Sequence, residues 1–336
     1  MTQSHSYRAP PCPLNAGGAL RTVGLEVELG GLSLERTLEV VHQAVGGTAA
    51  LHSRTEGTVQ HAVYGTFKVE FDHSILRERS YLRPLERLGL VDTADTADAV
   101  EDSVLRVASE IVPIEIVTPP LPWDRLRELD PLWDALRSAG AKDTHDSPLY
   151  AFGLHLNPET PSTDTATLLA FMRAFLLLED WLASASRVAL TRRISPFIRP
   201  FPEEYRRLIL PPDYAPSDRA FVDDYLAFSP TRNRPLDMAP LLMHVFGASI
   251  LSRVEEASLV KPRPTYHYRM PNSEIAAPGW TPARDWNRWL AVEELASQPA
   301  RLRELSRAYL ATFALPLRLQ SQGWIETLHS QLELPQ

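Results

Sequence analysis

The sequence predicts an α+β fold, a mainly antiparallel or mixed sheet with helices packed against it, and three observations carry that prediction. Short segments alternate with the period of a strand: Val23, Leu25, Val27 and Leu29 against Glu26 and Glu28, and Phe67, Val69 and Phe71 against Lys68, Glu70 and Asp72. Helix-period stretches fall between such segments in a mixed order with no internal repeat. With 336 residues, 44% hydrophobic and 23% charged, the chain can bury a substantial core.

Taken in order, residues 22–29 read as a strand. A helix follows over 33–45, with Ser33 as its N-cap, Leu34, Leu38, Val41 and Val45 on one face, and Gly46-Gly47 to stop it. Strands are expected near 58–63 and 66–72, then a surface excursion over 77–93 and a helix over 95–109. The run 111–117 predicts a strand that leads through Pro119-Pro120 into a helix over 123–138, ended by Gly140. After a strand at 151–157, Asp164 is placed to cap a long helix with Leu168, Met172, Phe175, Leu176 and Leu182 inward. Arg173, Glu179 and Asp180 interrupt that helix, so it reads as core and not as the roughly 20 clean apolar residues of a membrane span. Pro196, Pro200 and Pro202 forbid a long helix in 191–235, which is expected to be an ordered loop; helices return over 236–258 and 283–331. The 29 prolines are scattered and form no linker, so residues 1–20 are read as a flexible lead-in and 21–336 as a single domain.

The polar faces of these strands carry the chemistry. Glu26 and Glu28 project from one face, and two like charges that close call for a cation. Glu115 stands alone in an apolar β-branched run, an expensive place for an unpaired carboxylate. Phe152-Gly153-Leu154-His155-Leu156-Asn157 sets His155 and Asn157 two apart, and Thr265-Tyr266-His267-Tyr268-Arg269-Met270 does the same for His267 and Arg269. Strands that each offer Glu, Asp, His or Arg from one face predict a sheet surface that holds metal ions and an anionic ligand. Plainer readings stand beside this one: a Lys68–Glu70 salt pair on a wet face, His155 as a satisfied core histidine, and Arg192 and Arg193 as solvated loop charges.

The ordered blocks resemble a known family. Gly24-Leu25-Glu26-Val27-Glu28, Val69-Glu70-Phe71-Asp72-His73-Ser74-Ile75-Leu76, Glu115-Ile116-Val117-Thr118-Pro119-Pro120-Leu121, Gly153-Leu154-His155-Leu156-Asn157 and Tyr266-His267-Tyr268-Arg269-Met270-Pro271 are similar to those of the amidoligases in the glutamine synthetase and glutamate–cysteine ligase superfamily, across about residues 20 to 275. The resemblance implies a curved, mainly antiparallel sheet of the glutamine synthetase catalytic type with helices on its convex face. It implies ATP-dependent joining of a small-molecule or peptide carboxylate to an amine through an acyl phosphate, with Mg²⁺, or Mn²⁺, as the cation. Carried over residue by residue, it makes Glu26, Glu28, Asp72, Glu115, His155 and His267 the metal shell, with Glu26 and Glu115 essential to turnover. Arg269 then faces the transferred phosphoryl group, and Lys68, Asp72, Ser74 and Arg269 lie toward the nucleotide. Arg192, Arg193, Asn157 and, within Thr231-Arg232-Asn233-Arg234-Pro235-Leu236-Asp237, Asn233 fall on the substrate side.

Two positions depart from the family pattern. His267 stands where relatives carry the glutamate of Glu-x-Arg, and His73 where they carry glycine. An imidazole must be neutral to bind metal, so with an ordinary pKa of about 6.5 it predicts an acid limb through the sixes and a preference for Mn²⁺ over Mg²⁺.

Composition excludes several classes. A net charge of -8 opposes the basic footprint of a nucleic-acid binder. The 15 glycines form no phosphate-cradling fingerprint. The lone Cys12 has no intrachain disulfide partner, and residues 1–20 lack a signal-like apolar run, which with no visible span predicts a cytoplasmic location and no membrane partner. The competing functions are a metal-dependent hydrolase on a related site and a degenerate ligase fold kept as a binding module, for which His267 is the argument.

Overall fold

Alternating residues sort themselves onto two faces, and the sheet forms around that sorting. The computed structural model describes residues 6–71, 112–146, 152–186, 198–312 and 321–335. Its strands are β1 (Thr22–Leu29), β2 (Thr48–Leu51), β3 (Glu56–His61), β4 (Gly65–Phe71), β5 (Ile114–Val117), β6 (Leu121–Pro122), β7 (Leu154–Pro158), β8 (Leu236–Asp237) and β9 (His267–Tyr268). They run in the order β2-β3-β4-β5-β1-β7-β9-β8, with β6 also on β1, in an open sheet whose described pairings are all antiparallel. Register places Val27 between Ile116 and Leu154, and Val69 beside Ile116, so the apolar residues share the core face. A slip of one residue would turn every one of them outward, which is why this register is strongly specified.

The helices are α1 (Leu34–Val45), α2 (Asp130–Ser138), α3 (Thr165–Ala185), α4 (Glu203–Ile209), α5 (Asp218–Phe228), α6 (Ala239–Phe246), α7 (Ala283–Ala296), α8 (Pro299–Thr312) and α9 (Ser321–Gln331). Ser33 and Asp164 cap α1 and α3 as expected, accepting from the Arg36 and Thr167 amides. Toward the chain end, α3 and α7 bury the β7–β9 side of the sheet: Phe171 stacks on Tyr266 at 4.9 Å, and Trp289 lies 5.3 Å from Tyr268. On the other side, α1 packs on β3 and β4 and is backed by α2. Arg21, just ahead of β1, holds α7 through a buried two-pronged ion pair with Glu293, both contacts at 2.7 Å.

Several expectations need correction. The helix foreseen over 123–138 is a 3-10 segment, Trp123–Leu129, followed by α2, because Pro131 suits a helix start better than an interior. The loop foreseen over 191–235 carries α4 and α5 among its described residues. Pro202 stands at the start of α4, where its missing N–H costs no helical bond, and so punctuates a helix where it was read as excluding one. The helix over 236–258 shrinks to α6, preceded by β8 and stopped by Gly247 at φ 82°. The stretch 283–331 holds separate helices, with Pro299 opening α8. The lead-in is tied down from Ser6 onward: the Arg8 amide donates to Asn287 Oδ1 at 3.0 Å, and Trp286 Nε1 donates to the Arg8 carbonyl at 2.9 Å. The helix expected over 95–109 lies outside the described residues. Among those residues, no helix is long and apolar enough to cross a membrane.

Strand β2 has no alternating pattern and is exposed throughout, so a turn places it and burial does not. Gly47 makes that turn at φ 92°, with its Cα so close to β3 that an added Cβ would sit 2.2 Å from the Gln60 carbonyl oxygen. Gly47→Ala is expected to lower stability by at least ~1–3 kcal/mol. Faster hydrogen exchange confined to β2 and β3 would show the loss to be local, and an unchanged unfolding midpoint would refute the requirement.

Candidate metal centre

The register that buries the apolar residues also assembles the polar face. Glu28 lies opposite Glu115, Glu115 opposite Glu70, and Glu70 opposite Glu56, a row of four carboxylates across four adjacent strands. One step along, Glu26 lies opposite His155, and the β7–β9 pairing of Leu156 with Tyr268 brings Asn157 beside His267. Glu26, Glu28, His155, Asn157 and His267 are all buried.

Hydrogen bonds orient these groups. His155 Nδ1 lies 3.0 Å from Glu26 Oε2. A carboxylate accepts and cannot donate, so in the neutral ring Nδ1 carries the hydrogen, and Nε2, 3.8 Å from Glu28 Oε1, keeps its lone pair. Asn157 Nδ2 donates to Glu26 Oε1 at 3.0 Å, which leaves Oδ1 to accept from His267 Nδ1 at 2.7 Å. The reverse amide orientation would set oxygen against carboxylate oxygen. In its neutral form each imidazole therefore has Nδ1 tied to an acceptor and Nε2 bearing a lone pair, the arrangement that prepares histidine for a metal. The Gly153 amide donates to Glu28 Oε2 at 2.6 Å.

The donor set fits divalent cations. Glu28, Glu115 and His155 form one trio and Glu26, His155 and His267 another, with ligand atoms in each within 4.8 Å of one another. Ligands at about 2.1 Å from one ion stand roughly 3 to 4.2 Å apart, so small shifts would close either trio. The first, with two carboxylates, suits a hard cation; the second, with two imidazoles, suits a borderline one.

Arginines border the cluster on the β8–β9 side. Arg232 Nε pairs with the fully buried Asp237 at 2.9 Å, and Asp237 lies opposite His267 in the sheet. Arg269 donates to the Arg232 carbonyl at 2.9 Å. Arg263 Nη1 reaches Glu26 Oε1 at 3.4 Å. The face is thus polarised, with carboxylates toward β3–β4–β5–β1 and guanidinium groups toward β8–β9.

Burial raises the Glu26 carboxyl, but His267, His155 and Arg263 outweigh it and hold the group well below the usual carboxylate range. Burial drives the His267 ring the other way; Glu26 only partly compensates, and His155, Arg269 and Arg232 add to the depression, so the ring stays neutral well below 6.5. The acid limb expected through the sixes on account of His267 therefore moves to lower pH. A stability effect takes its place. The unfolded ring gains a proton near 6.5 while the folded ring does not, so metal-free protein loses up to about 1.4 kcal/mol per pH unit as pH falls from 6.5 toward the depressed value. His267→Gln removes this slope; denaturant melts of both proteins at pH 7 and pH 5.5 measure it, and parallel losses would place the titration elsewhere.

The structure unites Glu26, Glu28, Glu115, His155, Asn157 and His267 and sets Arg269 at their edge. Asn157, expected to face substrate, has both ends of its amide engaged inside the cluster. Asn233 is engaged away from the cluster, donating to Glu256 Oε1 at 3.2 Å. Lys68 is on the polar face opposite Val117, and among the described residues no ion pair joins it to Glu70. Asp72, Ser74, Arg192 and Arg193 lie outside the described residues. Sequence reasoning missed Arg232, Arg263 and Asp237 as neighbours of the site; the Thr231 to Asp237 segment was the signal for two of them, and none marked Arg263.

Fold and side chains together describe an α+β protein with a candidate metal centre on the polar face of an open antiparallel sheet. The chain belongs to the family described as "Putative amidoligase enzyme", which matches residues 19–291, a family of enzymes of the ligase kind. Neither a curated protein nor a solved structure gives a match.

Proposed function

We propose that this protein is a cytoplasmic, ATP-dependent carboxylate–amine ligase that forms an amide or peptide bond through an acyl phosphate. On this reading the sheet is of the glutamine synthetase catalytic type, curved so that its polar face is concave. The observation that carries the proposal is the polarised face inside the family-matched span, with carboxylates and imidazoles on one side and arginines on the other. Phosphoryl transfer from ATP to a carboxylate gathers anionic oxygens that need cations on more than one side.

Glu28, Glu115 and His155 would hold a hard cation such as Mg²⁺; Glu26, His155 and His267 form an alternative seat for a cation that accepts nitrogen, such as Mn²⁺, because the single lone pair of His155 serves one ion at a time. A cation bound in either seat would neutralise phosphate charge. Asn157 keeps Glu26 and His267 in their orientations, and Arg269 places a planar guanidinium where charge develops on the transferred group. Small-molecule or peptide carboxylates and amines are the expected substrates.

The deciding experiment is a coupled phosphate-release assay with Mg²⁺ or Mn²⁺ over a panel of carboxylates and amines. ATP consumption that requires both substrates supports the ligase. The two-imidazole, one-carboxylate trio favours a second reading, a metal-dependent hydrolase. Ester or amide cleavage without ATP would establish that instead, and metal binding with no turnover in either assay would favour the binding module.

A further inference from the structure

Arg263 lies 237 residues from Glu26 in sequence and, of the three arginines beside the cluster, makes the longest hydrogen bond. Arg232 is engaged by Asp237 and by the Leu259 carbonyl, and Arg269 by the Arg232 carbonyl. Arg263 makes a single 3.4 Å contact with Glu26, and its buried Nε has no hydrogen-bond partner among the described residues. Its side chain is 37% exposed, against 11% for Glu26, so it stands where the cluster opens to solvent. The backbone beneath it is held: Pro262 and Pro264 flank it, its amide donates to the Pro240 carbonyl at 3.2 Å, and the Pro264 carbonyl accepts from Thr160.

A buried guanidinium N–H without an acceptor is costly, and a long contact to a carboxylate that also serves a metal trio is a weak hold. We propose that Arg263 is an anion-binding residue of this site. Its contact with Glu26 is a resting arrangement that a divalent cation replaces, after which the guanidinium receives the anionic oxygens of a carboxylate or phosphoryl group brought to the metal. The proposal rests on the ligase reading for the identity of that anion, but not for the exchange itself.

Arg263→Ala and Arg263→Gln test it at equilibrium, without turnover. In Mn²⁺ titrations followed by calorimetry, each variant is expected to bind Mn²⁺ several-fold more tightly than wild type, because a competing cation has left Glu26. In Mn²⁺-loaded protein, inorganic phosphate and acetate are then titrated separately. Loss of roughly tenfold or more in phosphate affinity alone assigns Arg263 to the phosphoryl group, and the same loss for acetate alone assigns it to the carboxylate. Arg263→Lys should recover part of the loss, since it keeps the charge without the fork. Unchanged or weaker Mn²⁺ binding in the alanine and glutamine variants would overturn the exchange, and unchanged affinity for both anions would overturn the anion role. Either result is independent of whether the protein consumes ATP, so failure of the ligase reading is seen separately in the turnover assay.

Discussion

Glu26→Gln and Glu115→Gln are each expected to abolish metal-dependent turnover while the fold persists. The Glu26 change acts twice. It removes a charge from the trio with His155 and His267, and it presents an amide nitrogen to His155 Nδ1 if the amide oxygen stays with Asn157. His155 must then accept at Nδ1, so its hydrogen moves to Nε2 and the lone pair directed toward Glu28 disappears. One substitution disables a carboxylate and a histidine together, and turnover should fall by a factor of roughly 10² or more. Glu115→Gln acts on the other trio, removing one of the two carboxylates that face a hard cation with His155. Because Glu115 stands between Glu28 and Glu70, its neutralisation relieves like-charge crowding, so the metal-free variant should melt no lower than wild type. Calorimetric metal titration, steady-state rates and thermal melts on the same preparations separate these effects. Near-wild-type turnover in either variant would remove that residue from the metal shell, and loss of folding would make its role structural.

The largest stability effect is expected outside the site, at Arg21. Its guanidinium meets both Glu293 oxygens and also donates to the Glu159 and Cys12 carbonyls, all in a setting where both side chains are almost wholly buried. Truncating one member leaves the other charged and desolvated, which typically costs about 3–5 kcal/mol. Arg21→Ala should therefore shift the denaturant midpoint sharply downward. Arg21→Met with Glu293→Leu should recover only part of the loss, because Trp289 Nε1 then loses its 2.7 Å acceptor and the two carbonyls lose their donor. A double variant as stable as wild type would mean that the ion pair contributes nothing net, and a small effect of Arg21→Ala would mean that water reaches Glu293.

Much of the site was legible because strand alternation has a period of two. Given that Val23, Leu25, Val27 and Leu29 face the core, Glu26 and Glu28 have no choice of side, and the same holds for Glu115, His155, Asn157 and His267. Caps at Ser33 and Asp164 were legible for a similar reason, since capping is settled within one turn. The helices α4 and α5 were not, because proline was read as excluding helix where it marks the start of one.

The sequence by itself thus determined which residues share the polar face, where two helices begin, and, through the order of its blocks, the family. Only the tertiary structure decided that burial depresses the His267 ring, that Asn157 joins Glu26, 131 residues before it, to His267, 110 residues after it, and that Arg263 reaches the same carboxylate from a proline-bounded loop. A side chain's face is encoded by its immediate neighbours. The distance between groups brought together by strand order and loop closure is not, and hydrogen-bond direction, burial and charge coupling all depend on that distance.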